Sequence, residues 1–120
     1  MNYETLLVKK DERGVVLLTL NRPDKRNALS AKMIDELTNF AASLTSDVRV
    51  TVIQGAGNLF CAGGDLEWMN AQIKADRSTR IAEARKLAFM LKALNELPVP
   101  LIAKVHGCCL WWWSWLSLCM

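Results

Sequence analysis

The residues best suited to chemistry lie between Gly55 and Met69, in the run Gly-Ala-Gly-Asn-Leu-Phe-Cys-Ala-Gly-Gly-Asp-Leu-Glu-Trp-Met. Gly63 and Gly64 remove two side chains in succession just ahead of Asp65, a residue type that caps helix N-termini. A helix starting here turns unpaired N–H groups and the positive end of its dipole toward whatever lies opposite. With no Cβ on either glycine, a ligand oxygen can come close to the backbone. Two N–H donors converging on one oxygen stabilise charge that develops on it, and a turn of this kind is half of such an oxyanion hole. Plain chain reversal is the competing reading, since glycine-rich strand-to-helix turns are common. Two phosphate-binding readings fail on residue identity. A Walker loop needs Gly-Lys before Ser or Thr where this chain has Gly-Gly-Asp, and the dinucleotide fingerprint needs glycine where Phe60 stands.

Other reactive side chains are few. Asp65 and Glu67 are the carboxylates nearest the glycine pair, but a cap suits the first and a solvated helix position the second. His106, the only histidine, reads as a strand-terminal residue before it reads as a general base. Cys61 has no histidine near it in sequence and reads as a small buried hydrophobe. Lys25 and Arg26 form a basic pair that reads first as a solvated turn.

Around these residues the hydrophobic pattern predicts the supporting elements. Leu6–Val8 and Val15–Leu20 read as strands joined by a turn over Asp11–Gly14. Pro23 then breaks the ladder. Ser30 caps a helix whose stripe is Met33, Leu37, Phe40 and Leu44. Residues 48–54 alternate as a strand that leads into the glycine stretch, and Asp65 opens the next helix. Ile81, Ala84, Leu87, Ala88, Leu91 and Leu94 continue a helical stripe that Pro98 ends. Residues 100–105 read as a last strand. This order indicates an α/β domain.

At 120 residues and 52% apolar content the chain holds at most one domain with a core. A net charge of +3 with scattered basic residues gives no nucleic-acid footprint. Four cysteines without metal-site spacing point to reduced thiols and a cytoplasmic setting. The acids among the first fourteen residues argue against a secretory signal, and against a mitochondrial transit segment.

Three stretches resemble one family. Leu20-Asn-Arg-Pro-Asp-Lys-Arg-Asn-Ala-Leu-Ser30, Phe60-Cys-Ala-Gly-Gly-Asp-Leu66 and Leu97-Pro-Val-Pro-Leu-Ile-Ala-Lys-Val-His-Gly107 are similar, in order and spacing, to the motifs of the enoyl-CoA hydratase/isomerase (crotonase) family. The ending Asp65-Leu-Glu-Trp-Met69 is further similar to methylglutaconyl-CoA hydratase-like members, which act in leucine breakdown. The resemblance implies a spiral of β-β-α units, of which residues 1–107 would form an N-terminal half. It implies an acyl-CoA thioester as ligand, with coenzyme A part of the substrate and no separate cofactor or metal. The Gly64 N–H would be one oxyanion-hole donor, and Trp112 stands where the family has the glycine of the second. Lys25 and Arg26 would meet the adenosine end of CoA. Asn27, Ala28, Ala62, Gly63, Asp65 and Leu66 would line the thioester and pantetheine groove. Enoyl-CoA hydratase (lyase) chemistry is the implied reaction. Isomerase, decarboxylase and hydrolase relatives share the first motif, and a non-catalytic CoA-binding or interaction fragment is the alternative from another class.

Residues 108–120 depart from the pattern. Cys-Cys-Leu-Trp-Trp-Trp-Ser-Trp-Leu-Ser-Leu-Cys-Met carries no charge and is shorter than the roughly twenty residues a spanning helix needs. Tryptophan has the single codon TGG, so reading Trp111 to Trp115 one nucleotide later gives Gly-Gly-Gly, one further residue and Gly. The family has a glycine run at this place. A frameshifted tail is therefore expected, with the family's acid/base positions lost and the chain inactive. An uncharged Trp-rich end is expected to self-associate, whereas full-length relatives form homo-oligomers.

Overall fold

The structure, a computed structural model, describes residues 2–107. Its centre is a four-stranded sheet in the order of the chain: β1 (Leu6–Lys10), β2 (Val15–Leu20), β3 (Val50–Gly55) and β4 (Leu101–Ala103). β1 and β2 form an antiparallel hairpin, with Leu6 opposite Leu20 and Lys10 opposite Val16. β2 and β3 run parallel, as do β3 and β4. Parallel neighbours cannot be joined by a tight turn, so helices fill both crossovers. Helix α1 (Ala31–Ala42) links β2 to β3, and α2 (Leu66–Lys74) followed by α3 (Arg77–Asn95) links β3 to β4.

The hairpin turn follows from two residues. Asp11 accepts the N–H groups of Arg13 and Val15 on its side chain. Gly14 adopts φ +82°, and a Cβ there would lie 2.6 Å from the Asp47 carbonyl. α1 starts where its sequence says it should, with the Ser30 hydroxyl accepting the Met33 N–H at 3.2 Å. Met33, Ile34, Leu37 and Phe40 are buried and pack with Leu18, Leu20, Ile53 and Leu94 in a single core cluster. Leu44 lies past the end of the helix but still packs against the core. Glu36 is the exception on this face: a buried carboxylate that accepts the Glu4 and Thr5 N–H groups and the Thr5 hydroxyl. It ties the segment ahead of β1 to α1.

Three expectations need correction. The helical pattern after Asp65 is two helices, because Ala75 is extended (φ −77°, ψ 159°) and Asp76 caps α3 by accepting the Thr79 N–H. The buried side of α3 is Leu87, Met90, Leu91 and Leu94, while Ile81, Ala84 and Ala88 face solvent. The long strand read over 100–105 closes after Ala103. Beyond one more ladder bond, from the Lys104 N–H to the Ile53 carbonyl, the chain turns toward the loop after β3.

Candidate functional site

The loop from Ala56 to Asp65 is held by partners that converge from three directions. From β2 and its continuation, the Leu20 carbonyl accepts the Ala56 N–H and the Arg26 carbonyl accepts the Ala62 N–H. From the end of β4, the His106 carbonyl accepts the Phe60 N–H, and the His106 ring Nε2–H donates to the Gly57 carbonyl at 2.9 Å. Gly107, at φ +68°, sits so close to this loop that a Cβ would lie 2.3 Å from the Asn58 carbonyl. From the turn after β2, the Asn27 amide donates to the Ala56 and Leu59 carbonyls at 2.8 and 3.0 Å, and its oxygen accepts the Arg22 N–H. Asn27 itself takes a left-handed conformation, φ 56°. Asparagine tolerates that region better than most residues.

Gly63 and Gly64 sit where this loop meets residues 26–29. The Leu29 N–H donates to the Gly63 carbonyl at 2.7 Å, and the Leu29 carbonyl accepts the Asp65 N–H at 2.9 Å. These two bonds make a parallel bridge between Leu29 and Gly64. In that pattern the central residue contributes neither of its own groups, so the Gly64 N–H and C=O face away from Leu29. The Gly64 N–H meets no acceptor among the described residues. Gly63 supports the turn at φ +100°, a conformation that costs side-chain-bearing residues heavily. One residue later α2 begins. The Asp65 carboxylate accepts the Trp68 N–H at 3.2 Å, so an outward N–H and a capped helix N-terminus stand side by side.

The remaining predicted residues fall as follows. Ala62 is half-buried beside Gly63, and Ala28 is buried. Leu66 is 73% exposed at the start of α2. Lys25 closes a short 3-10 helix, Pro23–Lys25, and Arg26 follows at φ 54°. Both side chains are exposed and neither enters an ion pair among the described residues. Asn27 does not line a groove: it is fully buried and its amide is spent on the loop. Cys61 is fully buried, with its thiol 2.9 Å from the Asn27 carbonyl. Asp65 is committed twice, to the cap and to Arg22 at 3.5 Å. Glu67 is exposed on α2. Trp112 lies outside the described residues.

Arg22 is the residue that sequence reasoning passed over. It stands in the Asn21-Arg-Pro23 motif, yet only the fold brings it to Asp65, 43 positions on. Its guanidinium also donates to the Ala28 carbonyl. Among the described residues no group of three or more His, Cys, Asp or Glu could hold a metal ion, and no helix is long and apolar enough to cross a membrane. A hollow of about 200 Å³ lined by Tyr3, Val8, Phe40 and Val48 touches none of these residues.

Comparison with known proteins bears on this geometry. Residues 10–110 match the enoyl-CoA hydratase/isomerase family model. The mitochondrial Delta(3,5)-Delta(2,4)-dienoyl-CoA isomerase of Mus musculus is 33% identical over 119 residues, covering 91% of this chain and 36% of that protein. A probable enoyl-CoA hydratase of Mycobacterium tuberculosis is 40% identical over 81 residues, 66% of this chain and 31% of the relative. Among solved structures, an enoyl-CoA hydratase from Mycobacterium smegmatis superposes with a TM-score of 0.80 at 41% identity, over 86% of this chain and 40% of that one. One from Bacillus anthracis gives 0.83 at 28% identity, over 97% and 45%. The chain thus spans about a third of the length of these curated relatives. The chain belongs to the enoyl-CoA hydratase/isomerase family, and its sheet and helices are part of a crotonase fold.

Proposed function

We propose that this chain binds an acyl-CoA thioester and presents the Gly64 N–H to the thioester carbonyl oxygen. The observation that carries the reading is the Leu29–Gly64 bridge, which turns that N–H outward beside the N-terminus of α2. In this reading the donor polarises the carbonyl and stabilises the enolate formed when water adds to the β carbon of the enoyl group or when the α carbon is deprotonated. An aligned donor of this kind is worth on the order of 3–4 kcal/mol in other enzymes. Lys25 and Arg26, exposed and without ion-pair partners among the described residues, take the phosphate end of CoA. Ala28, Ala62, Gly63 and Leu66 border the acyl and pantetheine path. Coenzyme A enters as part of the substrate, with no separate cofactor. The reaction class proposed for the intact family architecture is hydration of an enoyl-CoA, a lyase step. A methylglutaconyl-CoA substrate of leucine breakdown is the finer suggestion, carried by residues 65–69 alone.

A second reading has its own observation. Asp65 is spent on a helix cap and an ion pair, and Glu67 is exposed on α2 with no hydrogen bond or ion pair among the described residues to hold it in place, so the segment beside Gly64 supplies no free carboxylate fixed against the thioester. Binding without hydration is the expected behaviour of the 120-residue chain.

Paired titrations test the proposal. Wild-type protein should bind crotonyl-CoA roughly ten-fold more tightly than free CoA, the worth of one good hydrogen bond. Gly64→Pro should erase the difference while leaving CoA affinity and thermal stability nearly unchanged, since Gly64 precedes the helix cap and its N–H makes no bond among the described residues that proline would remove. An undiminished preference for the thioester in that variant would overturn the assignment of Gly64. Measurable hydration of crotonyl-CoA by the wild-type chain would overturn the second reading.

A further inference from the structure

We infer that Arg22 is a positioning residue for the Gly64 donor, acting through Asp65 and the Ala28 carbonyl. The inference rests on the reading of Gly64 given above. Its basis is the way one guanidinium joins both sides of the Leu29–Gly64 bridge. On one side Arg22 donates to the carbonyl of Ala28, the residue just before Leu29. On the other it lies 3.5 Å from the carboxylate of Asp65, the residue just after Gly64. The two side chains are only 18% and 11% exposed, so the pair is shielded from water, and a charge-assisted contact there is stronger than at the surface. The planar fork of arginine can serve two acceptors at fixed angles, which a lysine ammonium on a flexible stem does less well.

The bridge needs such a brace. It consists of two backbone bonds, from Leu29 to Gly63 and from Asp65 to Leu29, with a glycine at φ +100° inside it. Gly63 and Gly64 contribute no side chains to fix their own orientation. Rotation of this peptide segment would redirect the Gly64 N–H without breaking the core. Asn27 fixes the loop upstream, at Ala56 and Leu59. The only side-chain ion pair among the described residues that spans the bridge is Arg22–Asp65. Misplacement of a reacting contact by about an ångström is enough to cost large factors in rate, so a distant arginine can set the quality of the donor.

The test reads carbonyl polarisation in the full 120-residue chain. Crotonyl-CoA carrying a ¹³C label at the thioester carbonyl is bound, and its stretching frequency is followed by isotope-edited infrared difference spectroscopy. Wild-type protein should lower the frequency relative to the free thioester, and Gly64→Pro should abolish the shift. Asp65→Asn keeps a good helix cap but removes the countercharge. This variant and Arg22→Gln should each return the frequency at least halfway to the free value. The double variant should do no more than either single one, as expected for two residues acting as a unit. Arg22→Lys, which restores the charge without the fork, should recover the shift in part. Affinity for free CoA, which has no thioester carbonyl, is measured in parallel so that loss of the polarising contact is separated from loss of CoA binding, and the frequency is read at saturating ligand for every variant. A full shift in Asp65→Asn and in Arg22→Gln, with Gly64→Pro abolishing it, would overturn the role of Arg22 and leave Gly64 standing. No shift in the wild type, or a shift that survives Gly64→Pro, would overturn both readings together.

Discussion

Asn27 shows how much one side chain can organise. It is fully buried in a left-handed conformation, and it joins the turn after β2 to two carbonyls of the loop after β3. Both of those groups need a donor. Asn27→Asp replaces the amide by a carboxylate facing the Ala56 and Leu59 oxygens, so the charged form is disfavoured and its folded-state pKa is raised. A raised acid pKa means that stability is lost as pH rises through it. Asn27→Asp should therefore be less stable than Asn27→Ala at neutral pH and should gain stability on acidification. Urea melts at neutral and acidic pH check this, and a variant that weakens on acidification would contradict the assigned bonds. Thr51 presents the opposite case, a fully buried hydroxyl with no hydrogen-bond partner among the described residues. Thr51→Val should be neutral or stabilising by about 1 kcal/mol, because an unsatisfied buried polar group is removed; a loss of stability would mean the hydroxyl has a partner. At this scale the sequence was partly legible. The helix-cap reading of Asp65 and the burial of Cys61 follow from residue type and neighbours. The inward amide of Asn27 and the bridging role of Arg22 do not, since both depend on partners far along the chain.

Elements were easier to read where one face carries all the apolar residues. Ser30 and the stripe at Met33, Leu37 and Phe40 locate α1 without ambiguity. α3 misleads because it is apolar on two sides: Met90 and Leu94 are buried, whereas Ile81 and Phe89 are exposed. Periodicity gives the helix but not which phase meets the core. Nor does it show the break at Ala75, which one capping aspartate decides. The same scale holds a pH-dependent link between elements. Burial pushes the Glu36 carboxyl up, but the bonds from the Thr5 hydroxyl and from the Thr5 and Glu4 N–H groups, with the Lys32 charge, outweigh it and hold the group below its ordinary value of 4.5. A carboxyl lowered in the folded state stabilises fully above its unfolded pKa and loses that contribution as pH falls through the folded one. Glu36→Gln should cost about 2 kcal/mol at neutral pH, the range for hydrogen bonds to a charged group. Its deficit against wild type should shrink once the pH drops below the folded-state value. An equal deficit at both ends of the range would separate Glu36 from the anchoring of the N-terminal segment.

For the whole molecule, composition bounded the answer and motif spacing identified the family; neither named the compartment. Reduced cysteines fit any reducing interior and do not separate a cytoplasmic protein from the mitochondrial one named for the mouse relative. The surface raises a further expectation. On α2, Leu66, Met69 and Ile73 recur at helical spacing and are exposed, Ile73 at 74%. Ile102 on β4 and Val105 beyond it are exposed as well. β4 pairs only with β3 among the described strands, and an edge strand with apolar neighbours invites pairing with another chain. The 120-residue chain should therefore self-associate in a concentration-dependent way. Met69→Lys with Ile73→Glu should reduce that association without lowering the melting temperature, because neither side chain is part of the core and surface changes of this kind alter stability by only about 0.5 kcal/mol. Sedimentation velocity over a range of concentrations measures the effect. A companion version ending at Gly107 separates the two sources of stickiness. If it associates as strongly as the full chain and responds to the same pair of substitutions, the α2 face is responsible. If it is monomeric while the full chain is not, association belongs to the Trp-rich residues 108–120 and the α2 face is only solvated.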